Sequence, residues 1–344
     1  MIIDKINLNN LKEREEVTDF LKKFELQYDA SVDYTIVARD NNEVIATASK
    51  GKNVVKCFAI DNRYQGEGIS TQLLTNLINK MFDEGYFHSM VFTKYSNKEL
   101  FRGMGYKEVA HTDKVILMEM GNKSIDKTLD KLIKKYDIEI SKKRAMIVMN
   151  CNPFTLGHQY LIEKVAREND EVLVFIVEED RSAFPFKVRY ELVKKGTEHL
   201  KNVKVINGTE YIISSATFPN YFLRKEDDSL IEYTKLDASI CGQQFGKKLN
   251  IVKRYVGEEP YCKVTNTYNE ALKEILPKYG MELEIVPRKE IEDKAISASY
   301  VRELLKEENY QEIKKLVPQT TYEFLLSPQG KEIGEKLKAS NSPH

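Results

Sequence analysis

Ala145-Met-Ile-Val-Met149 leads directly into Asn150-Cys-Asn152-Pro153-Phe154-Thr155-Leu-Gly157-His158, and a helical pattern follows to Arg167. The apolar run reads as a strand and the polar, Pro-containing stretch as the turn into a helix. Outward from this point the alternation continues. Residues 171–177 read as a strand, 187–200 as a helix and 203–206 as a strand, with further elements at 238–241, 271–276, 282–286 and 301–307. Strands alternating with helices imply parallel pairing in a doubly wound α/β sheet. In such sheets the ligand lies beyond the carboxyl ends of the strands.

The chain upstream is organised differently. Tyr34-Thr-Ile-Val-Ala-Arg and Glu43-Val-Ile-Ala-Thr-Ala flank Asp40-Asn-Asn, which reads as strand, Asx-rich turn, strand. Residues 53–60, 90–93 and 114–120 add strands. Residues 70–84 form a helix with Leu73, Leu74, Leu77, Ile78 and Met81 on one face. The expected organisation is an α+β domain over 1–121, a connecting helix over 122–143, an α/β domain over 144–326 and a tail over 327–344. The charged stretch 122–143 reads equally as surface of the second domain.

Composition sets the outer limits. The 344 residues carry 53 Lys+Arg against 53 Asp+Glu, so the basic excess of a general nucleic-acid binder is absent. The longest apolar run, Val172–Ile176 with Val177, falls far short of the ~20 residues of a membrane span. The opening residues lack the apolar core of a signal peptide. The four cysteines form no CxxC pair, and the five histidines show no HExxH spacing. These features lead us to expect a cytoplasmic chain with no membrane or nucleic-acid partner and no protein-held metal.

Asn150 to His158 resembles the signature of the HxGH nucleotidyltransferase superfamily, with Thr155 at the first His position. The residue types suit the chemistry. Attack on an α-phosphate expels pyrophosphate, and an imidazole and a hydroxyl at a helix N-terminus stabilise the charge on the leaving oxygens. Gly157 lets the backbone pass close to the phosphates. Ile296-Ser297-Ala-Ser299-Tyr-Val-Arg302 resembles the superfamily's Ile-Ser-x-Ser-x-x-Arg element, which holds the β- and γ-phosphates; an ordinary Ser N-cap is the other reading. The resemblance implies that Asn152, Pro153, Phe154, Gly157, Ser297, Ser299 and Arg302 hold ATP, with His158 and Thr155 catalytic. Lys187 and Arg189 are candidate cations for the triphosphate or an acyl substrate, or else solvated helix cations.

Arg63-Tyr-Gln-Gly66-Glu-Gly68-Ile-Ser70 follows a strand and opens a helix, an arrangement that would fit a pyrophosphate or else is a plain turn. It resembles the acetyl-CoA-binding motif of the GNAT acetyltransferases, and residues 97–106 resemble their late Asn-to-Gly-Tyr segment. Phe101 stands where many GNAT members carry a Tyr general acid, which counts against acetyl transfer in this domain but not against binding of a CoA-like arm by Arg63, Gly66 and Gly68. Tyr106 is an alternative acid or a packed aromatic.

The two resemblances in this order, with residues 184–187, 211–219, 255–261 and 296–299, make the whole chain similar to the citrate lyase ligase family. That resemblance implies acetate activation by ATP as acetyl-adenylate, with magnesium carried on ATP. The acetyl group then passes to the thiol of the phosphoribosyl-dephospho-CoA prosthetic group on the citrate lyase acyl carrier protein. Residues 214–222 read as an acetate pocket or a polar loop, and 257–259 as a ribose or magnesium contact or a tight turn. The alternatives are an adenylyltransferase of a small phosphorylated substrate and a GNAT acetyltransferase with a nucleotide-sensing domain.

Overall fold

The computed structural model describes residues 1–29, 31–178, 182–212, 226–258, 263–291 and 294–339. The chain divides into two compact units. The first holds Met1–Thr128 and the described part of Ser215–Gln244, and the second holds Leu129–Ser214 and Phe245–His344 as far as they are described.

The first unit is built on a seven-stranded sheet of β1 (Ile2–Lys5), β2 (Tyr34–Asp40), β3 (Glu43–Gly51), β4 (Val54–Ile60), β5 (His88–Lys94), β6 (Lys107–His111) and β7 (Val115–Gly121). Their order is β1-β2-β3-β4-β5-β7-β6. The β2–β3 hairpin turns on Asn41 and Asn42, both at positive φ (48° and 66°). Two successive left-handed residues make the tight turn that matches strand twist, and Asn tolerates that conformation. The helices here are α1 (Leu11–Lys22), α2 (Ile69–Asp83) and α3 (Lys98–Gly103), with α4 (Ile125–Lys135) following β7. Leu73, Leu74, Leu77 and Met81 of α2 are buried against Ile36, Ala46, Val55 and Val91 of the sheet.

β4 and β5 are the parallel pair of this sheet, and they hydrogen-bond only where Val54 faces Met90 and Val55 faces Val91. Beyond that they separate. The ladder between β3 and β4 also shifts register between Thr47 and Ser49, and Cys57 on the facing stretch of β4 takes a left-handed φ of 48°. Such a bulge bends the strand and re-aims it.

The second unit carries a five-stranded sheet of β8 (Arg144–Met149), β9 (Val172–Ile176), β10 (Val203–Asn207), β11 (Ile251–Gly257) and β12 (Glu282–Val286). Its order is β10-β9-β8-β11-β12, and every pair is parallel. The order reverses between β8 and β11, so the crevice beyond Met149 and Gly257 is where such a sheet binds ligand. Helices α5 (Leu156–Glu168) and α6 (Phe186–Gly196) follow the first two strands. Ile162, Val165, Leu192 and Val193 are buried with Ile147 and Val174 of the sheet.

Three features depart from the sequence reading. β11 is an interior strand, between β8 and β12, yet Lys253 and Arg254 interrupt its apolar run; Arg254 is buried and donates to the Tyr268 hydroxyl at 2.6 Å. Residues 238–240 close helix α7 (Glu226–Ile240), and Cys241 opens a π-helical stretch that leads to the short turn α8 (Lys247–Leu249). α7 belongs with the first unit: Thr112 donates to Glu232 at 2.8 Å, and the Phe92 and Tyr233 rings lie 5.5 Å apart. After α9 (Lys263–Ile275), α10 (Ala298–Lys306), α11 (Tyr310–Leu316) and α12 (Gln319–Leu326), the expected tail is helix α13 (Pro328–Ala339). Ile333 and Leu337 of α13 join the core, and Gly334 packs close to Leu305.

Candidate active site

The crevice beyond β8, β11 and β12 is a cavity of about 480 Å³. Two helices begin at it, and each is capped by its own sequence. Thr155 is the N-cap of α5, and its hydroxyl accepts from the His158 backbone N–H at 3.4 Å. The same residue fixes the imidazole: the Thr155 N–H donates to His158 Nδ1 at 3.1 Å, and the hydroxyl lies 2.8 Å from that nitrogen. A nitrogen that accepts carries no proton, so in the neutral ring the proton sits on Nε2. Burial, and secondly the charge of Arg288, push the imidazole down to about 4. At neutral pH His158 is therefore an uncharged hydrogen-bond donor.

Ser297 is the N-cap of α10, accepting from the Tyr300 N–H, and its hydroxyl lies 2.6 Å from that of Ser299. α10 and α5 thus bring two helix N-termini, each favouring negative charge, to one crevice. They approach closely. A Cβ on Gly157 would lie 3.4 Å from the Ile296 carbonyl and 3.6 Å from the Thr155 hydroxyl. Arg302 lines the cavity and also donates to the Asn152 carbonyl at 2.7 Å, joining the late element to the early one.

The other expected residues fall elsewhere. Asn152 is buried, follows Cys151 at positive φ and accepts from the Phe184 N–H at 3.0 Å. The Asn152–Pro153 peptide is cis. Phe154 is fully buried, its ring stacked at 6.1 Å from that of His158. These residues shape the loop rather than line the cavity. Lys187 is exposed and lines a separate groove with Glu191, Lys195 and Glu323. Arg189, expected as a cation for substrate, is wholly buried. It donates to the carbonyls of Phe184, Asn150 and Val177 at 2.7–2.9 Å, which ties the loop after β8 to the loop after β9.

In the first unit, the parting of β4 and β5 opens a second cavity, of about 530 Å³. Gly66 (φ 90°) lines it, and Gly68 (φ 77°) is the N-cap of α2. Among the described residues, no atom beyond the glycine and its chain neighbours lies within 4 Å of a Cβ built on either glycine, so the space over the turn is open. Arg63 is exposed and paired with Asp61 at 2.7 Å. Tyr106 is buried and hydrogen-bonded to Ser89 at 2.7 Å, and burial raises its phenol well above the usual range. It is the packed aromatic, and Phe101 is buried beside it.

Comparison with known proteins is decisive for ancestry. The family described as citrate lyase ligase C-terminal domain matches residues 144–325, and the GNAT acetyltransferase family matches residues 5–106. The citrate (pro-3S)-lyase ligase of Klebsiella pneumoniae is 35% identical over 335 residues, covering 95% of this chain and 96% of its own. The Escherichia coli and Haemophilus influenzae ligases are each 34% identical, covering 94% and 90% of this chain and 93% and 94% of theirs. The chain belongs to the citrate lyase ligase family.

In this member of the family, the polar cavity-lining residues that the sequence reading missed include Tyr160, Arg288 and Lys289. Lys289 Nζ lies 5.8 Å from the Tyr160 ring centre. Arg288 Nε donates to the Glu258 carbonyl at 2.8 Å. Both cations follow β12 directly, and their place at a strand's carboxyl end was the available signal. Residues 213–225 and 259–262, which include the whole expected acetate pocket at 214–222 and Glu259 of the expected ribose or magnesium contact, lie outside the described residues. Among the described residues no helix is long and apolar enough to cross a membrane.

Proposed function

We propose that the chain acetylates the citrate lyase prosthetic group in two steps. An acetate oxygen attacks the ATP α-phosphorus, the bond to the β-phosphate bridge breaks, and acetyl-adenylate and pyrophosphate form. The arm's thiolate then attacks the acetyl carbonyl and expels AMP, leaving a thioester on the acyl carrier protein. The observation that carries this reading is the convergence of the α5 and α10 N-termini, His158 and the Ser297–Ser299 pair on one crevice. Donors set in advance around developing phosphate charge are the chief means of lowering such a barrier.

In this reading His158 donates from Nε2 to the phosphates and Thr155 fixes its tautomer. Gly157, Ser297, Ser299 and Arg302 hold the polyphosphate, while Asn152, Pro153 and Phe154 shape the loop. The open turn at Gly66 and Gly68, with Arg63 beside it, holds the pyrophosphate of the prosthetic arm. Among the described residues no group of three or more His, Cys, Asp or Glu is placed to hold a metal. Magnesium is assigned to the ATP phosphates, where it neutralises charge.

The test is ATP–pyrophosphate exchange with a panel of carboxylates, followed by thioester formation on deacetylated citrate lyase. Acetate-dependent exchange with AMP release is the expected outcome. Retention of AMP in a stable product would favour an adenylyltransferase instead.

A further inference from the structure

Asn150 is the first residue beyond β8, and it lines the same crevice as Thr155, His158 and Ser297. The resemblances assign it no role. Its amide is held in one orientation from two sides. Buried Arg189 donates from Nη1 to Asn150 Oδ1 at 2.8 Å and to the Asn150 carbonyl at 2.7 Å. A guanidinium only donates, so the atom facing it is the amide oxygen, and the NH2 group faces away. The Ser182 hydroxyl, on the loop leading to α6, donates to the same Oδ1 at 3.2 Å and accepts from Nδ2 at 3.1 Å.

The count of donors and acceptors then closes on one atom. Oδ1 has both lone pairs engaged, one by Arg189 and one by Ser182. Nδ2 carries two N–H groups. One meets Ser182, and among the described residues nothing accepts from the other. The cation on Oδ1 polarises the amide and makes Nδ2 a stronger donor.

Charge indicates what this donor takes. Asn150 and Ser182 are neutral, whereas the groups read above as holding polyphosphate are two helix N-termini and Arg302. A polyphosphate gains most from positive charge. A carboxylate that has to act as a nucleophile is served differently, because a close cation stabilises its charge and lowers its basicity. Neutral donors hold one carboxylate oxygen and leave the other more basic.

We propose that Asn150 and Ser182 bind the carboxylate of the acid substrate in the crevice. Asn150 donates its second Nδ2 N–H to one carboxylate oxygen, and the Ser182 hydroxyl turns its proton from Oδ1 to the same group. The other oxygen forms the bond to the α-phosphorus. The bond from that phosphorus to the bridging oxygen breaks, and its electron pair leaves with pyrophosphate. Arg189 is a positioning residue, which aims the amide without touching the acid. This rests on the reading of the crevice as the site of acid activation by ATP, and it adds the contact for the acid.

The experiment measures ATP–pyrophosphate exchange against acetate concentration, and ATP affinity by calorimetry without acetate. It compares the wild type with Asn150→Ala, Asn150→Asp and Ser182→Ala. A wild type that binds no ATP, or shows no acetate-dependent exchange, would overturn the proposed function and this inference with it. With wild-type exchange established, Asn150→Ala should raise the acetate KM ~10-fold or more, the scale of one hydrogen bond to a charged group, with ATP affinity near that of the wild type. Asn150→Asp keeps an oxygen for Arg189 but has no donor, so its acetate KM should rise at least as far. A wild-type KM in Asn150→Asp would reduce Asn150 to a prop for the loop and overturn the inference alone. So would a loss of ATP affinity in Asn150→Ala that matches its loss for acetate. Ser182→Ala should raise the acetate KM several-fold, and it carries the test if the Asn150 variants do not fold. An unchanged acetate KM in Asn150→Ala or in Ser182→Ala would overturn the pair as the carboxylate site.

Discussion

Thr155 and His158 hold each other in a reciprocal box: the Thr155 hydroxyl accepts from the His158 N–H, and the Thr155 N–H donates to the His158 Nδ1. The contact that starts the helix is also the one that sets the imidazole tautomer. Removing the cap and removing the donor therefore have separable signatures.

His158→Ala keeps the Thr155 hydroxyl on the helix N-terminus but deletes the donor. Acetate-dependent pyrophosphate exchange should fall ~100-fold or more, the usual scale for one transition-state donor. ATP should still bind, measured by calorimetry. Near wild-type exchange would refute the assignment.

Thr155→Val removes the capping oxygen while keeping the shape. Loss of an N-cap costs about 1 kcal/mol, read from denaturant unfolding. Exchange should fall as well, because Nδ1 loses the hydroxyl that helps to fix its tautomer. Thr155→Ser should restore both quantities.

The pH behaviour of His158 follows from its lowered folded value of about 4, set against about 6.5 unfolded. Between these values the unfolded chain binds the extra proton and the folded chain does not. This residue's contribution to stability is therefore complete above about 6.5 and is lost as pH falls toward 4. The free enzyme's kcat/KM for ATP should show no step near 6.5 that His158→Ala abolishes. Such a step would mean that the imidazole works as a titrating acid.

Arg189→Ala should act on folding. It strips the donors from three carbonyls, those of Phe184 and Val177 buried, and breaking a network of this kind costs about 3 kcal/mol or more. Denaturant unfolding should show this loss. A well-folded variant with a selective rise in the KM for ATP would return Arg189 to the substrate.

Gly66→Val with Gly68→Val tests the first unit. Both glycines have positive φ, which a β-branched residue resists, and open space lies over their Cα atoms. Pyrophosphate exchange should survive, since acetate and ATP contain no CoA-like arm, while thioester formation should drop sharply. Circular dichroism must first show a folded variant, because strain at these turns lowers stability. Unchanged thioester formation would make the unit a scaffold.

The parts legible in the sequence are those made by near neighbours in the chain. The Asn41–Asn42 turn, the Thr155–His158 box and the Ser297–Tyr300 cap each join residues one to three positions apart, so residue order alone determines them. The alternation that gives the parallel sheet is of the same kind. What a residue does once distant chain closes over it is different. Arg189 reads as a cation for the substrate or a solvated helix cation, and Arg288 carries no reading at all. Only the fold buries the first among carbonyls and sets the second at the crevice. β11 reads as charged, because its interior position comes from strands far away in sequence. The 344 residues by themselves determined the local turns, the caps and the alternation of elements, because those rest on backbone geometry within a few residues. Tertiary structure decided which cations line the crevice, where α7 packs and which buried groups tie loops together, because burial and charge proximity depend on contacts made across the whole chain.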